Sequence, residues 1–295
     1  MNTPLVSILM TVYNREKYIS DAIQSVLSSS YQNWELIIVD DRSKDQSVEI
    51  ARQFELKDSR IKVYVNEKNL GQFENRMMAA SYASGTYIKY LDSDDMIYPH
   101  GLEVMVSSME KFPEAAIGLT YNAYEEDEPL PLTLTPEEAF LIHFFKKGIL
   151  YVGPTNTIFR TKDFRELKGF EDYGVASDYE LNLRMAMHKP VVLFNRDLAW
   201  WRRHENQEIS LHEKEYLYQN HRIFRKVIYS SAFPLNNRKR KEIKNNYDKN
   251  FARKIIVLLA LLNFRKAIYI WRTVKLGPNA FFLAMMPAKL RKMFI

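Results

Sequence analysis

The first 100 residues alternate between apolar runs and amphipathic stretches, and this alternation restricts the chain to a small group of folds. Residues 5–13 and 34–40 are nearly continuous apolar runs, a pattern typical of parallel strands that helices cover on both faces. Shorter runs of branched and aromatic residues predict two more strands. The predicted strands are 5–13, 34–40, 61–65 and 87–91, and the predicted helices between them are 16–29, 46–54 and 72–83. This alternation predicts an α/β fold with a mostly parallel sheet flanked by helices.

Polar residues follow three of these strands at their carboxyl ends. Thr11 and Tyr13 end the first strand, Asp40 and Asp41 end the second, and the acidic residues 92–95 follow the fourth. In open α/β sheets, ligands bind outside the carboxyl ends of the strands. We therefore expect these side chains to line one crevice.

The acidic segment is Asp92-Ser93-Asp94-Asp95. Crowded carboxylates repel one another unless a cation is present, and ligand sets made only of oxygen suit Mg2+ or Mn2+. The alternative is that one of these aspartates caps the helix predicted after Pro99, a role that does not require three carboxylates. The segment alone leaves both interpretations open.

The glycine-rich phosphate-binding motifs are absent from the sequence. Neither GxGxxG after the first strand nor GxxxxGK[ST] occurs, which disfavours a dinucleotide-binding oxidoreductase and a P-loop NTPase. A divalent cation on the acidic segment is the obvious substitute for a glycine cradle, and it would suit a nucleoside diphosphate. Cysteine is also absent, which excludes disulfides, thiolate-ligated metals and cysteine nucleophiles.

Five short strings occur in a fixed order along the first 100 residues. They are Val6-Ser7-Ile8-Leu9-Met10-Thr11-Val12-Tyr13-Asn14, residues 35–43, Asn69-Leu70-Gly71, residues 83–88 and Leu91-Asp92-Ser93-Asp94-Asp95. In this order and at these separations they resemble the opening of glycosyltransferase family 2, closely to about residue 100 and more loosely to about residue 210. The resemblance implies a GT-A fold that transfers a sugar from a nucleoside-diphosphate donor with inversion at the anomeric carbon.

The resemblance also implies where the donor would bind. Thr11, Tyr13 and Asp41 match the positions that hold the base, usually uracil, and Arg76 has the spacing of a basic residue near the donor. These residue types suit the task, because an aromatic ring offers a stacking face and a carboxylate can accept the imide N–H of uracil. The alternatives are a core aromatic at Tyr13, a solvated helix residue at Arg76 and, for the neighbouring Asp40, a role in fixing the turn.

Three further residues match the family pattern near the diphosphate. Asp94 matches the final aspartate of the DxD motif and would ligate Mg2+ or Mn2+, whereas Asp92 matches the first and would lie near the ribose or the metal's water shell. Asp95 receives no role. His204 follows Trp200-Trp201 in a segment that resembles the family's closing loop, and it would contact the phosphates or the metal, although a lone histidine is more often structural.

The expected catalytic base is Asp178. The family places Glu-Asp at the start of a helix, and here Ser177 stands in the first position, which is a departure from the pattern. The alternative is that Asp178 only caps the helix, a role that we expect Ser177 to fill instead.

The chain after residue 210 has a different composition. Residues 211–295 carry 19 Lys and Arg against 4 Asp and Glu, whereas residues 1–210 carry 23 against 32. Basic amphipathic stretches with aromatic residues, as in 255–271, predict binding to an anionic membrane surface. Nucleic acid is disfavoured because no recognition motif accompanies the charge. The alternative is that these helices pack on the catalytic part or on a second subunit. We predict a catalytic domain over 1–210 and a helical extension over 211–295.

These observations predict a metal-dependent hexosyl- or related transferase. It would move a single sugar from a nucleoside-diphosphate sugar, with UDP the expected nucleotide, to a hydroxyl of a glycan or glycolipid acceptor. The N-terminus lacks a basic region typical of a secretory signal, so we expect a cytoplasmic protein held on the inner face of the cell membrane. The alternatives are a sugar-nucleotide nucleotidyltransferase and a catalytically silent membrane-surface binding protein.

Overall fold

The computed structural model describes residues 3–121, 129–203 and 213–285. The strands in these ranges are β1 (Val6–Val12), β2 (Trp34–Asp40), β3 (Ile61–Val65), β4 (Tyr87–Tyr90), β5 (Met96–Ile97), β6 (Ile117–Tyr121), β7 (Leu132–Leu134), β8 (Thr157–Arg160), β9 (Val191–Asn195) and β10 (Ala199–Trp200). The helices are α1 (Ile19–Leu27), α2 (Ser47–Glu55), α3 (Gln72–Tyr82), α4 (Gly101–Glu110), α5 (Pro136–Phe145), α6 (Thr161–Glu166), α7 (Ser177–His188), α8 (Glu213–Ile228), α9 (Asn237–Ala260), α10 (Phe264–Val274) and α11 (Pro278–Met285).

Eight of the strands form one sheet in the order β3-β2-β1-β4-β8-β6-β9-β7. The first four strands in that order are mutually parallel, so the carboxyl ends of β1, β2 and β4 meet at one edge. Strands β7 and β8 run antiparallel to their neighbours. The short strands β5 and β10 pair separately, and they bring residues 199 and 200 to the segment after the acidic cluster. The predicted α/β fold with a mostly parallel sheet is confirmed.

Apolar layers cover both faces of the sheet. One contains α1, α2 and α4 with side chains such as Ile8 and Leu36, and the other contains α3, α5 and α7 with side chains such as Leu9 and Ile37. Successive residues of β1 and β2 therefore point into opposite layers, which is why both strands are apolar without alternation. Each of the seven strands and helices predicted within the first 91 residues is present, with ends that differ by at most three residues.

The first helix after the catalytic part packs directly against it. Phe224 and Val227 of α8 belong to the same apolar layer as Phe140 of α5 and Leu181 of α7. The later helices have a small core of their own, which includes Ala252, Ile255, Ala267 and Ile270. The predicted domain division at residues 210 and 211 lies outside the described residues and stays a prediction. None of the helices in the described ranges is long and apolar enough to cross a bilayer.

Candidate active site

The edge where β1, β2 and β4 end brings the predicted donor residues together. Thr11 pairs with Val39 in the sheet and is partly exposed, and Tyr13 follows β1 with 42% of its surface exposed. Tyr13 is therefore not a core residue, and its ring can stack on a flat ligand. Whether these two residues contact a base stays a prediction.

Asp40 and Asp41 are both buried after β2, but their oxygens have different partners. Asp40 accepts hydrogen bonds from the backbone N–H and the hydroxyl of Ser43, at 2.8 and 2.5 Å, so it fixes the turn as expected. Asp41 accepts hydrogen bonds from the backbone N–H groups of Leu70 and Gly71, at 2.7 and 2.8 Å. Gly71 has φ of +84°, a conformation that glycine adopts without strain. Asp41 thus ties the end of β2 to the start of α3, and its contact with a base stays a prediction.

Arg76 and Asp92 form an ion pair at the centre of this edge. The Arg76 guanidinium lies 3.0 Å from the Asp92 carboxylate and 5.4 Å from the centre of the Phe170 ring. Arg76 is buried, so the alternative of a solvated helix residue is wrong. The hydroxyl of Tyr90 donates a hydrogen bond to the backbone oxygen of Arg76, and this contact fixes α3 against β4.

Asp178 lies beside this ion pair at the start of α7. Burial raises the pKa of Asp178, the positive charge of Arg76 lowers it, and the negative charge of Asp92 raises it. One carboxylate oxygen accepts a hydrogen bond from the backbone N–H of Tyr179 at 2.8 Å. A Cβ atom placed on Gly153 would lie 3.9 Å from the other oxygen, so the absence of a side chain at Gly153 leaves room there. A carboxylate with a raised pKa is better suited to accept a proton.

The expectation that Ser177 caps α7 is wrong. The capping position is Ala176, which has no side-chain acceptor, and in the first turn the N–H of Tyr179 is bonded by the Asp178 carboxylate rather than by Ser177. Ser177 is instead the first helical residue, and its hydroxyl donates to the backbone oxygen of Gly174 and accepts from the N–H of Tyr173. A serine here closes the turn before α7, which is a role that a glutamate could not fill in the same way because its carboxylate is acceptor-only.

Asp94 forms an ion pair with Arg15, which follows β1, at 3.1 Å. In the part of the chain that the structure describes, no group of three or more Asp, Glu or His side chains is assembled to hold a metal ion. Mg2+ is commonly held by one or two carboxylates together with substrate phosphates rather than by a protein cage. Asp94 and the nearby Asp92 would be the carboxylate ligands in such a site once a diphosphate is bound. His204 lies outside the described residues.

Asp95, which received no role from the sequence, is the buried anchor of the acidic segment. Its carboxylate accepts hydrogen bonds from the hydroxyl of Thr155 at 2.7 Å and from the backbone N–H of Arg202 at 3.1 Å. Burial and the neighbouring Asp92 charge raise the pKa of Asp95 to about 7. Asp95 therefore joins the end of β4 to the loop before β8 and to the segment after β10, and none of these contacts is local in sequence.

Lys89 lies in the middle of β4 and is completely buried. Its ammonium group donates hydrogen bonds to the backbone oxygens of Tyr90, Pro154 and Thr155, and burial lowers its pKa to about 7. A charged residue in an apolar strand was the sequence signal for this contact, because a buried lysine requires acceptors. Lys89 holds the loop that carries Thr155 beneath the acidic segment.

A charge network centred on the buried Glu180 connects α7 to α8. Glu180 is 1% exposed and accepts hydrogen bonds from Arg184 at 2.8 Å and from Lys226 at 2.8 Å. Lys226 also pairs with Glu171 at 2.6 Å, and Arg184 donates to the backbone oxygen of Gly169. The network fixes the loop before α7 and the first turn of α7, where Asp178 lies, to the first C-terminal helix.

His143 of α5 contacts the start of α7, and its burial leads to a prediction about stability. One ring nitrogen accepts the backbone N–H of Leu150 and the other lies 3.0 Å from the Tyr179 hydroxyl, while burial lowers the His143 pKa to about 3. Between pH 6.5 and about pH 3, the His143 ring binds a proton in the unfolded chain but not in the folded chain. The free energy of unfolding should therefore fall by about 1.4 kcal/mol per pH unit, or about 2 kcal/mol from pH 6.5 to pH 5.

Urea unfolding of wild type and His143→Gln at pH 7 and pH 5 measures this contribution. The wild type should lose about 2 kcal/mol more than the variant on acidification. His188→Gln, which changes an exposed histidine at the end of α7, is the matched control and should follow the wild type. If the free energy of unfolding fell equally in wild type and His143→Gln on acidification, His143 would not be the source of the pH dependence.

Comparison with known proteins decides the family. The model of the family described as glycosyl transferase family 2 matches residues 7–168, which is more than half of the chain. The chain belongs to glycosyltransferase family 2. Membership favours a glycosyltransferase over the nucleotidyltransferase alternative.

Relatives and solved structures agree with this assignment. The chain is 43% identical over 125 residues, 42% of this chain and 47% of the relative, to the UDP-Glc:alpha-D-GlcNAc-diphosphoundecaprenol beta-1,3-glucosyltransferase WfgD of Escherichia coli. The first curated relatives are each matched over less than half of their length. The S. aureus TarS 1–349 structure in complex with UDP-GlcNAc is similar at TM-score 0.64 and 20% identity, over 81% of this chain and 70% of that one.

A second solved structure shares the same architecture. The mannosyltransferase PcManGT from Pyrobaculum calidifontis, in complex with GDP-Man and Mn2+, is similar at TM-score 0.62 and 14% identity, over 78% of this chain and 66% of that one. At these identities the likeness establishes the fold, and the fold is that of the GT-A glycosyltransferases.

Proposed function

We propose that this family 2 protein transfers a single sugar from a UDP-sugar to an acceptor hydroxyl, with inversion, and that Asp178 is the general base. The observation that carries the proposal is the convergence of Asp178, Arg76 and Asp92 at the carboxyl edge of the sheet. Thr11 and Tyr13 lie at this edge too, which supports a donor site next to the proposed base.

The donor half of the crevice suits a uridine nucleotide. The exposed ring of Tyr13 offers a stacking face beside Thr11, and Asp41 supplies a carboxylate at the end of β2. UDP as the nucleotide is further supported by the names of two similar proteins, one bound to UDP-GlcNAc and one acting on UDP-Glc. Asp92 and Arg76 would face the ribose and the phosphates.

The chemistry assigned to Asp178 is proton removal during a direct displacement. As the acceptor oxygen bonds to the anomeric carbon, Asp178 takes the hydroxyl proton and the bond from that carbon to the diphosphate breaks. The crevice holds the two reactants in line, which lowers the entropic cost of the encounter. Mg2+ or Mn2+ bound at Asp94 would act as a Lewis acid for the leaving diphosphate, and a similar protein is named as a complex with Mn2+.

The acceptor proposed here is a lipid-linked glycan at the inner face of the cell membrane. A relative is named for an acceptor in which GlcNAc is joined to diphosphoundecaprenol, and another is named for teichuronic acid biosynthesis. Such an acceptor is attached to a membrane lipid, whereas the nucleotide sugar is in the cytoplasm. The enzyme would therefore have to work at the membrane surface.

A donor screen tests the proposed reaction. UDP-, GDP- and dTDP-sugars are incubated with the protein and Mg2+ or Mn2+, and release of the nucleoside diphosphate is measured. At least one UDP-sugar should be hydrolysed in a metal-dependent manner, and EDTA should lower the rate by at least about tenfold because the leaving diphosphate then lacks its Lewis acid. Absence of hydrolysis and of UDP binding would reject the function.

An exposed apolar row on α10 supports the membrane proposal. Phe264, Ile268 and Trp271 lie one helical turn apart, and each is about half exposed. Leu261 and Leu262, more than 70% exposed, extend the row into the preceding turn, and exposed arginines at 265 and 272 lie beside it. Apolar residues flanked by cations are the pattern of a helix that lies on an anionic bilayer. We call these five apolar residues the α10 apolar row.

Vesicle flotation tests the α10 apolar row. The triple variant Phe264→Ser, Ile268→Ser and Trp271→Ser should bind vesicles containing phosphatidylglycerol at least about tenfold more weakly, because the apolar contribution to binding is lost. The control variant Leu56→Ser with Val65→Ser changes exposed apolar residues elsewhere and should float like the wild type. Undiminished flotation of the triple variant would reject this surface.

A further inference from the structure

A groove of about 940 Å3 lies between the catalytic part and the C-terminal helices. This volume is within the range of sites that bind small ligands. Side chains of α5, α7, α8, α9 and α10 line it, together with residues of the loops after α5 and α9, and the lining includes five tyrosines and four asparagines. The tyrosines are Tyr151, Tyr179, Tyr216, Tyr247 and Tyr269, and the asparagines are Asn220, Asn246, Asn250 and Asn263.

Two residues that line the groove, Tyr151 and Tyr179, are close in the chain to the proposed base and to Gly153 beside it. Tyr179 lines the groove, and its backbone N–H donates to Asp178 at 2.8 Å. Tyr151 stacks on Tyr179 with ring centres 4.1 Å apart, and it precedes Gly153, the residue beside the second Asp178 oxygen. A molecule in the groove therefore lies against the exposed ring of Tyr151, which covers the Tyr179 ring.

The lining combines aromatic rings, which make most of its surface apolar, with amide groups, and this combination suits a saccharide. Aliphatic side chains are in the minority, whereas tyrosine rings and asparagine amides offer stacking faces and hydrogen bonds to hydroxyl groups. The amide oxygen of Asn220 is buried and accepts no hydrogen bond from the described residues. A buried acceptor without a donor is costly, and a sugar hydroxyl would satisfy it.

The groove also carries positive charge. Lys254 and Arg265 are exposed at its edge, and neither pairs with a carboxylate of the described chain. Lysine and arginine are the usual partners of phosphate oxygens. Arg265 directly follows Phe264, so these cations adjoin the α10 apolar row.

We propose that this groove binds the sugar-phosphate head of the acceptor. The sugar lies on the exposed ring of Tyr151, with its reacting hydroxyl toward Asp178 and another hydroxyl on Asn220. The phosphate or diphosphate lies at Lys254 and Arg265, and the attached lipid continues to the α10 apolar row. The inference rests on the proposed transferase function and adds a location and a charge for the acceptor.

Calorimetry with glucose 1-phosphate and N-acetylglucosamine 1-phosphate tests the groove, with UDP present at saturation to fill the donor side. At least one sugar phosphate should bind, and the free sugar and inorganic phosphate should each bind at least about tenfold more weakly. The variant Lys254→Glu with Arg265→Glu should weaken binding at least about tenfold, and Asn220→Leu about fivefold, without a fall in Tm. The matched control Arg238→Glu with Lys241→Glu carries the same net charge on exposed residues outside the groove and should match the wild type.

The outcomes separate this inference from the proposed function. Equal weakening by the two charge-reversed variants, or loss of sugar-phosphate binding when UDP is present, would overturn the groove assignment. Preferential binding of farnesol would also overturn it, because the groove would then hold hydrocarbon. Hydrolysis of the UDP-sugar by Lys254→Glu with Arg265→Glu at the wild-type rate would show that the donor side is intact, whatever the groove binds.

Discussion

Asp178→Asn should lower kcat for sugar transfer by about 10²- to 10⁴-fold, the usual contribution of a general base. Asparagine has the shape of aspartate but cannot accept the proton from the acceptor hydroxyl. The affinity for UDP should stay within about twofold of wild type, because the nucleotide would lie on the other side of the Arg76–Asp92 ion pair. Initial rates and UDP titrations on the same preparations measure both quantities.

The raised pKa of Asp178 adds a pH signature to this result. The base works only when it is deprotonated, so kcat/KM of the wild type should fall toward acid with a midpoint above the ordinary value for aspartate. The residual activity of Asp178→Asn should not show this fall of kcat/KM toward acid, which we call the acidic limb. Asp172→Asn alters an exposed aspartate six residues earlier and should keep both the rate and the acidic limb. Transfer by Asp178→Asn at nearly the wild-type rate would remove Asp178 from the mechanism.

Asp94→Asn should lower kcat by at least about 10²-fold and weaken activation by Mn2+, because the leaving diphosphate then loses the proposed protein ligand of its cation. Arg15, which pairs with Asp94, would also lose its charged partner, so Tm should be compared between the two proteins. Rates measured over a range of Mn2+ concentrations distinguish a lost metal site from a general loss of activity.

The control for this variant is Asp58→Asn. Asp58 pairs with Arg60 in the loop before β3, at the opposite edge of the sheet, and its replacement should not change the response to Mn2+. If Asp94→Asn were activated by Mn2+ with the wild-type midpoint, the metal would have to be held elsewhere.

The sequence predicted the sheet and the crevice because both depend on local patterns. The apolar runs of β1 and β2 and the polar residues at their ends are visible in short windows, and the parallel arrangement then brings those ends together. The family pattern added Asp178, which is more than 80 residues from Asp92 and could not be placed beside it from spacing alone.

The contacts that hold the site were not predicted, because they join segments that are distant in the chain. The sequence predicted no role for Asp95, whereas in the structure it is bonded to Thr155 and Arg202. The ion pair of Arg15 with Asp94 was not predicted either, because the two residues are 79 positions apart. Lys89 did give one, since a lysine inside an apolar strand must find buried acceptors, and that signal could have been used.

The Glu180–Lys226 contact has a consequence for how such enzymes can be recombined. A chimera that exchanges the C-terminal helices would be joined near residue 210 if the predicted domain division were followed. In this chain that junction would remove Lys226 from Glu180, two residues after the proposed base Asp178, and strip Phe224 and Val227 from the core they share with α5 and α7. Phe233, Leu235 and, in α9, Ile243 belong to that core as well, so chimeras joined near residue 210 should lose activity, whereas chimeras that keep α8 and the first turns of α9 should retain it.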